Sequence, residues 1–317
     1  MIKFNNRICR YDITGTEKIL KSRGKQYEDY LALFHASSVD NCPPRPNYVV
    51  LEVNNYCNMR CKMCIRAMNE AQNTGHNMDI QMIDKFCDEI AKFQIPSVFL
   101  GGGAECLINP NIKYIINKIR SEKREVTDDV LITNGYGLTD EIINLLLKLQ
   151  WEKVFVSLDA SSEAMYKSIR GKDLNHVESR LLHLVKEKRA HHSMFPIIRV
   201  SFVVMKENEH EMEEFFNKWK PYVDIVDFQE LTIYSGDMSI VHNLPDKDTT
   251  CLQPFTRLMV DSFGDIYPCC TEYNMYYKLG NIMNTTLLDA WNSSIINELR
   301  SSMKKKQLSD VCKTCMR

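Results

Sequence analysis

Between Tyr48 and about residue 233 the apolar positions switch repeatedly between a period of two and a period near 3.6. Short apolar runs at 48–53, 97–100, 130–133, 153–158, 197–205 and 224–233 read as strands. The segments between them carry apolar residues at helical spacing. Residues 79–93 would bury Ile83, Phe86, Cys87 and Ile90, and residues 111–120 would bury Ile112, Ile115, Ile116 and Ile119. Further helices are expected from Asp140, which Thr139 can cap, over 175–189 and over 209–219. Six strand–helix repeats imply a parallel sheet with right-handed crossovers. Six is fewer than the eight of a closed barrel, so the expected fold class is α/β, a partial, open (β/α)6 barrel.

The alternation stops after Tyr234-Ser235-Gly236. The remainder is short-stranded and cysteine-rich, with one expected helix over 287–303. Its apolar content is thin for an independent core, and small units of that kind are usually held together by metal or disulfide. At the other end, residues 1–45 hold a mixed helical stretch over 17–35 and a Pro-rich connector, Pro43-Pro44-Arg45-Pro46. The expected organisation is an N-terminal extension (1–45), a barrel (46–235) and a small C-terminal domain (236–317).

Composition narrows the function classes. The 317 residues are 44% hydrophobic and 26% charged with a net charge of −1, so no general attraction to nucleic acid is expected. The run Lys304-Lys305-Lys306 reads as a solvated helix end. No apolar stretch approaches the roughly 18 residues of a membrane span, and the N-terminus lacks the apolar core of a signal peptide. The expected location is the cytoplasm. Twelve cysteines are many for a reducing compartment, where ligation of metal accounts for them better than disulfides. The eight histidines are scattered, with no i,i+4 pair suited to a metal. Phosphate-loop and nucleophile-elbow sequences are absent.

Cys57, Cys61 and Cys64 follow the first expected strand, in Asn-Asn-Tyr-Cys-Asn-Met-Arg-Cys-Lys-Met-Cys. Ligands bind at the C-terminal ends of strands in parallel α/β folds. A [4Fe–4S] cube takes one thiolate per iron, so three cysteines leave one iron open to a small molecule. This C-x3-C-x2-C spacing resembles that of the radical S-adenosylmethionine (SAM) family, whose fold is also a partial (β/α)6 barrel.

The resemblance extends along successive strand ends. Met63 matches the position that meets the adenine of SAM. Gly103-Ala104-Glu105-Cys106-Leu107-Ile108-Asn109-Pro110 resembles the family's Gly-Gly-Glu-Pro-Leu-Leu-x-Pro stretch, whose glycine backbone and acid hold the SAM amino group. Ala104 and Cys106 depart from it, and alanine is tolerable where φ is negative. Ile132-Thr133-Asn134-Gly135 resembles a Thr-Asn-Gly turn. Ser157, in Val156-Ser157-Leu158-Asp159, matches a serine that contacts the methionine or ribose part. The resemblance implies cofactor-binding roles for Gly103, Ala104, Glu105, Asn134, Ser157 and Asp159. It places Arg170 at the active-site rim, Val204 behind the adenine and Asn208 near the ribose. Gln229, Glu230 and Tyr234 are further pocket candidates.

The tail, with Cys251, Gly264, Cys269, Cys312 and Cys315, resembles the auxiliary-cluster module of the SPASM/twitch subgroup. Leu279-Gly280-Asn281-Ile282 and Ala290-Trp291-Asn292-Ser293 lie between its cysteine pairs. The cysteines are fewer than the full SPASM module carries, which implies the twitch form with one auxiliary [4Fe–4S] cluster. Cys251, Cys269, Cys312 and Cys315 are its expected ligands, with Cys270 left over. A structural zinc on the same four thiolates is the alternative.

The resemblance implies a 5′-deoxyadenosyl radical that takes hydrogen from substrate, and an electron donor of the flavodoxin or ferredoxin type. The four-cysteine spacing resembles that of 2-deoxy-scyllo-inosamine dehydrogenation, so oxidation of a secondary alcohol in a sugar or cyclitol is the leading expectation. One alternative is an epimerase of a sugar or peptide residue, with Cys106 or Cys270 returning the hydrogen. Others are modification of a ribosomally made peptide, and a non-catalytic protein that binds a cluster or zinc.

Overall fold

The structure, a computed structural model, describes residues 9–68, 73–231, 251–269, 277–310 and 312–313. A first strand, β1 (Cys9–Asp12), leads into helices α1 (Thr16–Lys21) and α2 (Lys25–Ala36). The barrel follows as β2 (Tyr48–Leu51), α3 (Ile65–Met68), α4 (Ile80–Lys92), β3 (Val98–Leu100) and α5 (Ile112–Ser121). It continues through β4 (Val130–Thr133), α6 (Asp140–Lys148), β5 (Lys153–Ser157), α7 (Glu163–Arg170), α8 (Leu174–Ala190), β6 (Ile197–Val204), α9 (Met212–Trp219) and β7 (Ile225–Glu230). The tail adds β8 (Arg257–Val260), β9 (Asp265–Tyr267), β10 (Gly280–Asn281), α10 (Leu287–Trp291) and α11 (Ser294–Lys304).

All six expected barrel strands form, as β2 to β7, and pair in parallel in chain order. The sheet stays open, with strand order β1-β7-β6-β5-β4-β3-β2-β8-β9-β10. Its two edges are covered by the chain's own ends. β1 lies antiparallel on β7, and β8 lies parallel on β2 before turning back through β9. An unpaired strand edge is a template for aggregation, and both outer barrel edges are thereby closed.

The apolar faces read from the sequence are the ones buried. Ile83, Phe86, Cys87 and Ile90 of α4 and Ile115, Ile116 and Ile119 of α5 are wholly buried. Each such aliphatic side chain contributes roughly 1.5–3 kcal/mol relative to exposure. Thr139 caps α6 as expected, its Oγ1 accepting from the Ile142 amide. One expectation changes, and two elements form that the sequence did not announce. The single helix over 287–303 is two, because Ser293 adopts an extended backbone and its hydroxyl caps α11. β1 and α7 were not legible, since four alternating residues and eight amphipathic ones carry too little periodicity.

The N-terminal helices close the end of the barrel away from the strand C-termini. Tyr27 and Tyr30 both donate to the Asp128 carboxylate, at 2.6 and 3.3 Å, just ahead of β4. Arg23 pairs with the buried Glu152 ahead of β5, at 2.7 Å. The tail docks on the barrel flank, where the Leu287 amide donates to Glu89 of α4 at 3.0 Å and Trp291 donates to the Pro43 carbonyl at 3.0 Å. No helix among the described residues is long and apolar enough to cross a membrane.

Candidate active site

The loop after β2 carries Cys57, Cys61 and Cys64 and is fastened at several points. Asn54 donates to the carbonyls of Tyr56 and Glu105, at 2.7 and 3.1 Å. Asn55 holds the returning chain through the His76 amide and the Thr74 hydroxyl. The Lys62 amide donates to the Ile169 carbonyl at the end of α7, at 2.8 Å. The three thiols are free and half-buried.

Donors surround the sulfurs. The Met59 amide lies 3.4 Å and the Asn134 side-chain amide 3.8 Å from Cys57 Sγ, and Arg170 Nη1 is 3.7 Å from Cys61 Sγ. Burial pushes the Cys61 thiol up to about 11 against the pull of Arg170, and raises Cys57 for the same reason. Burial therefore favours the protonated form of Cys57 and Cys61, and a metal that binds these two thiols must displace their protons. Among the described residues no three His, Cys, Asp or Glu side chains converge on one ion. Three thiols beside one cavity suit a cluster that keeps one corner open to a small molecule.

These cysteines line a cavity of about 180 Å³ together with Met63, Gly103, Ala104, Glu105, Asn134, Ser157 and Arg170. The Gly101-Gly102 turn that shapes one wall needs glycine. Gly101 has φ +89°, and a Cβ there would stand 2.7 Å from the Ile132 carbonyl oxygen. Ala104 lies outside the left-handed region, so its methyl group is accommodated without strain. Glu105 is 2% exposed and accepts from Thr133 Oγ1, the Asn134 amide and the Leu107 amide at 2.8, 2.7 and 3.1 Å. Burial raises its carboxyl, and those three bonds oppose the rise.

Several other expected residues do not line the cavity. Asn208 is fully buried; its amide donates to the carbonyls of Asp159 and Val203, both at 2.9 Å, and its Oδ1 accepts from the Met205 amide at 2.7 Å. Asp159 pairs with Arg170 and accepts from the Val203 amide at 2.8 Å. Val204 ends β6 and, like Asp159 and Asn208, does not line the cavity. Gln229 is engaged with Asp227 at 2.8 Å, and Tyr234 lies outside the described residues. Cys106 is 1% exposed and absent from the lining, its thiol donating towards the Leu100 and Ile132 carbonyls. Arg170, expected at the active-site rim, is 6% exposed and lines the cavity.

Sequence reasoning missed Arg66 and Glu52. Arg66, two residues beyond Cys64, lines the cavity and donates to the Gly103 and Asn55 carbonyls at 2.8 and 3.0 Å. It also pairs with Glu52, 2% exposed, at 2.9 Å. An acid directly after an apolar strand was the available signal. Burial pushes Glu52 up to about 7 despite that arginine.

In the tail, Cys251 and Cys312 pack against one apolar cluster of Phe255, Leu299 and Met303. Cys251 precedes β8 and half-buried Cys269 follows the antiparallel β9, so strand direction carries both to the same end of the sheet. That end is opposite the one reached by Cys57. Cys270 and Cys315 lie outside the described residues.

Known proteins place this arrangement. Residues 51–218 match the family model described as the radical SAM superfamily, and residues 251–316 match SPASM, an iron–sulfur cluster-binding domain. The chain is 30% identical, over 84% of itself and 86% of the relative, to the tungsten-containing aldehyde ferredoxin oxidoreductase cofactor-modifying protein of Pyrococcus furiosus. It is 21% identical, over 84% of itself and 91% of the relative, to the SAM-dependent 2-deoxy-scyllo-inosamine dehydrogenase of Niallia circulans. Among solved structures it resembles BtrN in complex with AdoMet and 2-DOIA, with a TM-score of 0.57 at 16% identity, covering 86% of this chain and 93% of that one. It also resembles anSMEcpe with bound AdoMet and the Cp18Cys peptide, with a TM-score of 0.64 at 16% identity, covering 84% and 85%. The two family models imply SAM and [4Fe–4S] clusters as cofactors. With three cysteines, the glycine turn and a buried acid gathered at the strand C-termini, the chain belongs to the radical SAM superfamily and carries a C-terminal SPASM domain.

Proposed function

We propose that this radical SAM enzyme dehydrogenates a secondary alcohol of a carbohydrate-like small molecule, with Cys57, Cys61 and Cys64 holding the SAM-binding cluster. The observation that favours it over epimerisation through Cys106 is the position of that thiol, which lies outside the cavity lining and is aimed at two backbone carbonyls; Cys270, the other candidate donor, lies outside the described residues. Similarity to a cyclitol dehydrogenase over 91% of that relative's length supports the substrate class.

The chain's own groups suit the cofactors. Glu105 accepts three hydrogen bonds, and a carboxylate offers about four acceptor sites. The remaining site, beside the glycine turn, suits the SAM ammonium group as a charge-assisted partner. Met63 and Ser157, which line the same cavity, suit the nucleoside part. When bound, the reduced cluster and SAM supply a 5′-deoxyadenosyl radical, and an auxiliary cluster on Cys251, Cys269, Cys312 and Cys315 supplies an acceptor for the electron left on substrate. The protein's part is to hold substrate against that radical and keep water out.

A second reading rests on the 30% identical relative, whose name describes modification of an oxidoreductase cofactor; here the substrate would be such a cofactor. One experiment tests the first reading. Anaerobic protein is reduced in D2O with SAM and a panel of cyclitols and amino sugars, and the products are weighed by mass spectrometry. Dehydrogenation gives a product lighter by about two mass units and one 5′-deoxyadenosine per product. A product of unchanged oxidation state with deuterium at an inverted carbon overturns it in favour of epimerisation. SAM cleavage without turnover of any alcohol in the panel favours the cofactor reading.

A further inference from the structure

Arg170 is held by two buried partners, Leu158 and Asp159, and reaches the half-buried Cys61. It ends α7 and donates through Nε to the Leu158 carbonyl at 3.1 Å and through Nη2 to the Asp159 carboxylate. Asp159 is itself fixed. It is fully buried, has a left-handed φ of 65° that favours glycine, and is tied to β6 by the Val203 amide and by Asn208. The remaining nitrogen, Nη1, reaches Cys61 Sγ at 3.7 Å. The helix end that carries the guanidinium also binds the cysteine loop, through the Lys62 amide and the Ile169 carbonyl. Sulfur and guanidinium are therefore kept in register by backbone as well as side chain.

We propose that Arg170, positioned by Asp159, sets the reduction potential of the cluster on Cys61 by donating an N–H hydrogen bond to its thiolate. This rests on the assignment of the three cysteines above and goes beyond it. Reduction adds negative charge to a cluster, and a donor aimed at a ligating sulfur favours the more negative state and raises the potential. A buried guanidinium interacts across low dielectric, which strengthens the effect. Asp159 has two consequences. It offsets most of the cationic charge, so what reaches the sulfur is mainly the directed N–H, and it prevents the side chain from swinging away.

The test is EPR-monitored potentiometry on the full, anaerobically reconstituted chain. The reading follows the signal whose shape changes on adding SAM, which marks the open cluster. Arg170→Met removes the donor at similar volume, and its midpoint should move to a more negative value while the tail cluster's midpoint stays in place. Arg170→Lys keeps a charge without the fixed fork, and its midpoint should fall between those of Arg170→Met and the unaltered chain. If Arg170→Met does not retain its cluster, the lysine variant alone decides. An unmoved midpoint in the variant that loads, or an equal shift of both clusters, overturns the proposal. Absence of any SAM-responsive signal in the unaltered chain overturns the cysteine assignment instead.

Discussion

Asn208 separates a binding role from a structural one, and Asn208→Ala reads the difference as free energy. The side chain is fully buried and makes three hydrogen bonds, at 2.7, 2.9 and 2.9 Å. Truncation leaves the Met205 amide without its acceptor, which costs about 1–3 kcal/mol, and removes two further bonds of about 1 kcal/mol each. The expected loss is about 3–5 kcal/mol, a large share of the roughly 5–15 kcal/mol that holds a folded domain. Asp159 would lose one of the contacts that keep it in the left-handed region, so the turn after β5 should loosen first. Urea denaturation of the metal-free chain, followed by circular dichroism, measures the loss without interference from cluster release. Hydrogen exchange of the amides after residue 159 should rise in parallel. A loss under about 1 kcal/mol, with SAM affinity of the loaded protein reduced tenfold or more, would refute the clasp and restore the ribose contact.

Two further outcomes follow from the site. Replacing Cys57, Cys61 and Cys64 together by Ala should abolish SAM cleavage and leave about four irons per chain in the tail cluster; retained 5′-deoxyadenosine formation would sink the assignment. Glu52 titrates from 4.5 when unfolded to about 7 when folded, so its contribution is present below 4.5 and is lost as pH rises through 7. Glu52→Gln removes that dependence, and its stability relative to the parent chain should improve by about 3 kcal/mol between pH 4 and pH 8. Parallel stability curves across that range would show that folding leaves the Glu52 carboxyl at its ordinary value.

What the sequence by itself determined was local. Alternation of periods along 48–230 specified six parallel strands and the faces of α4, α5 and α6, because core-facing positions repeat with the backbone geometry of each element. The triplet at Cys57 and the stretch Gly103-Ala104-Glu105 were legible because each follows a strand, and parallel strands deliver their C-terminal ends to one place. What the tertiary structure decided was the direction of each side chain once it arrived there. Asn208 and Asp159 follow strand ends as expected, and the tertiary structure engages each with the other's segment, about 50 residues away in sequence. Cys106 stands beside a wall residue and points at backbone instead. Arg170 and Cys61, 109 residues apart, meet only because α7 folds back over the cysteine loop. Glu52 and Arg66 likewise find each other where chain reversal places an acid and a base in the same dry space. Burying either charge unpaired would cost several kcal/mol, and no local pattern records which partner will remove that cost.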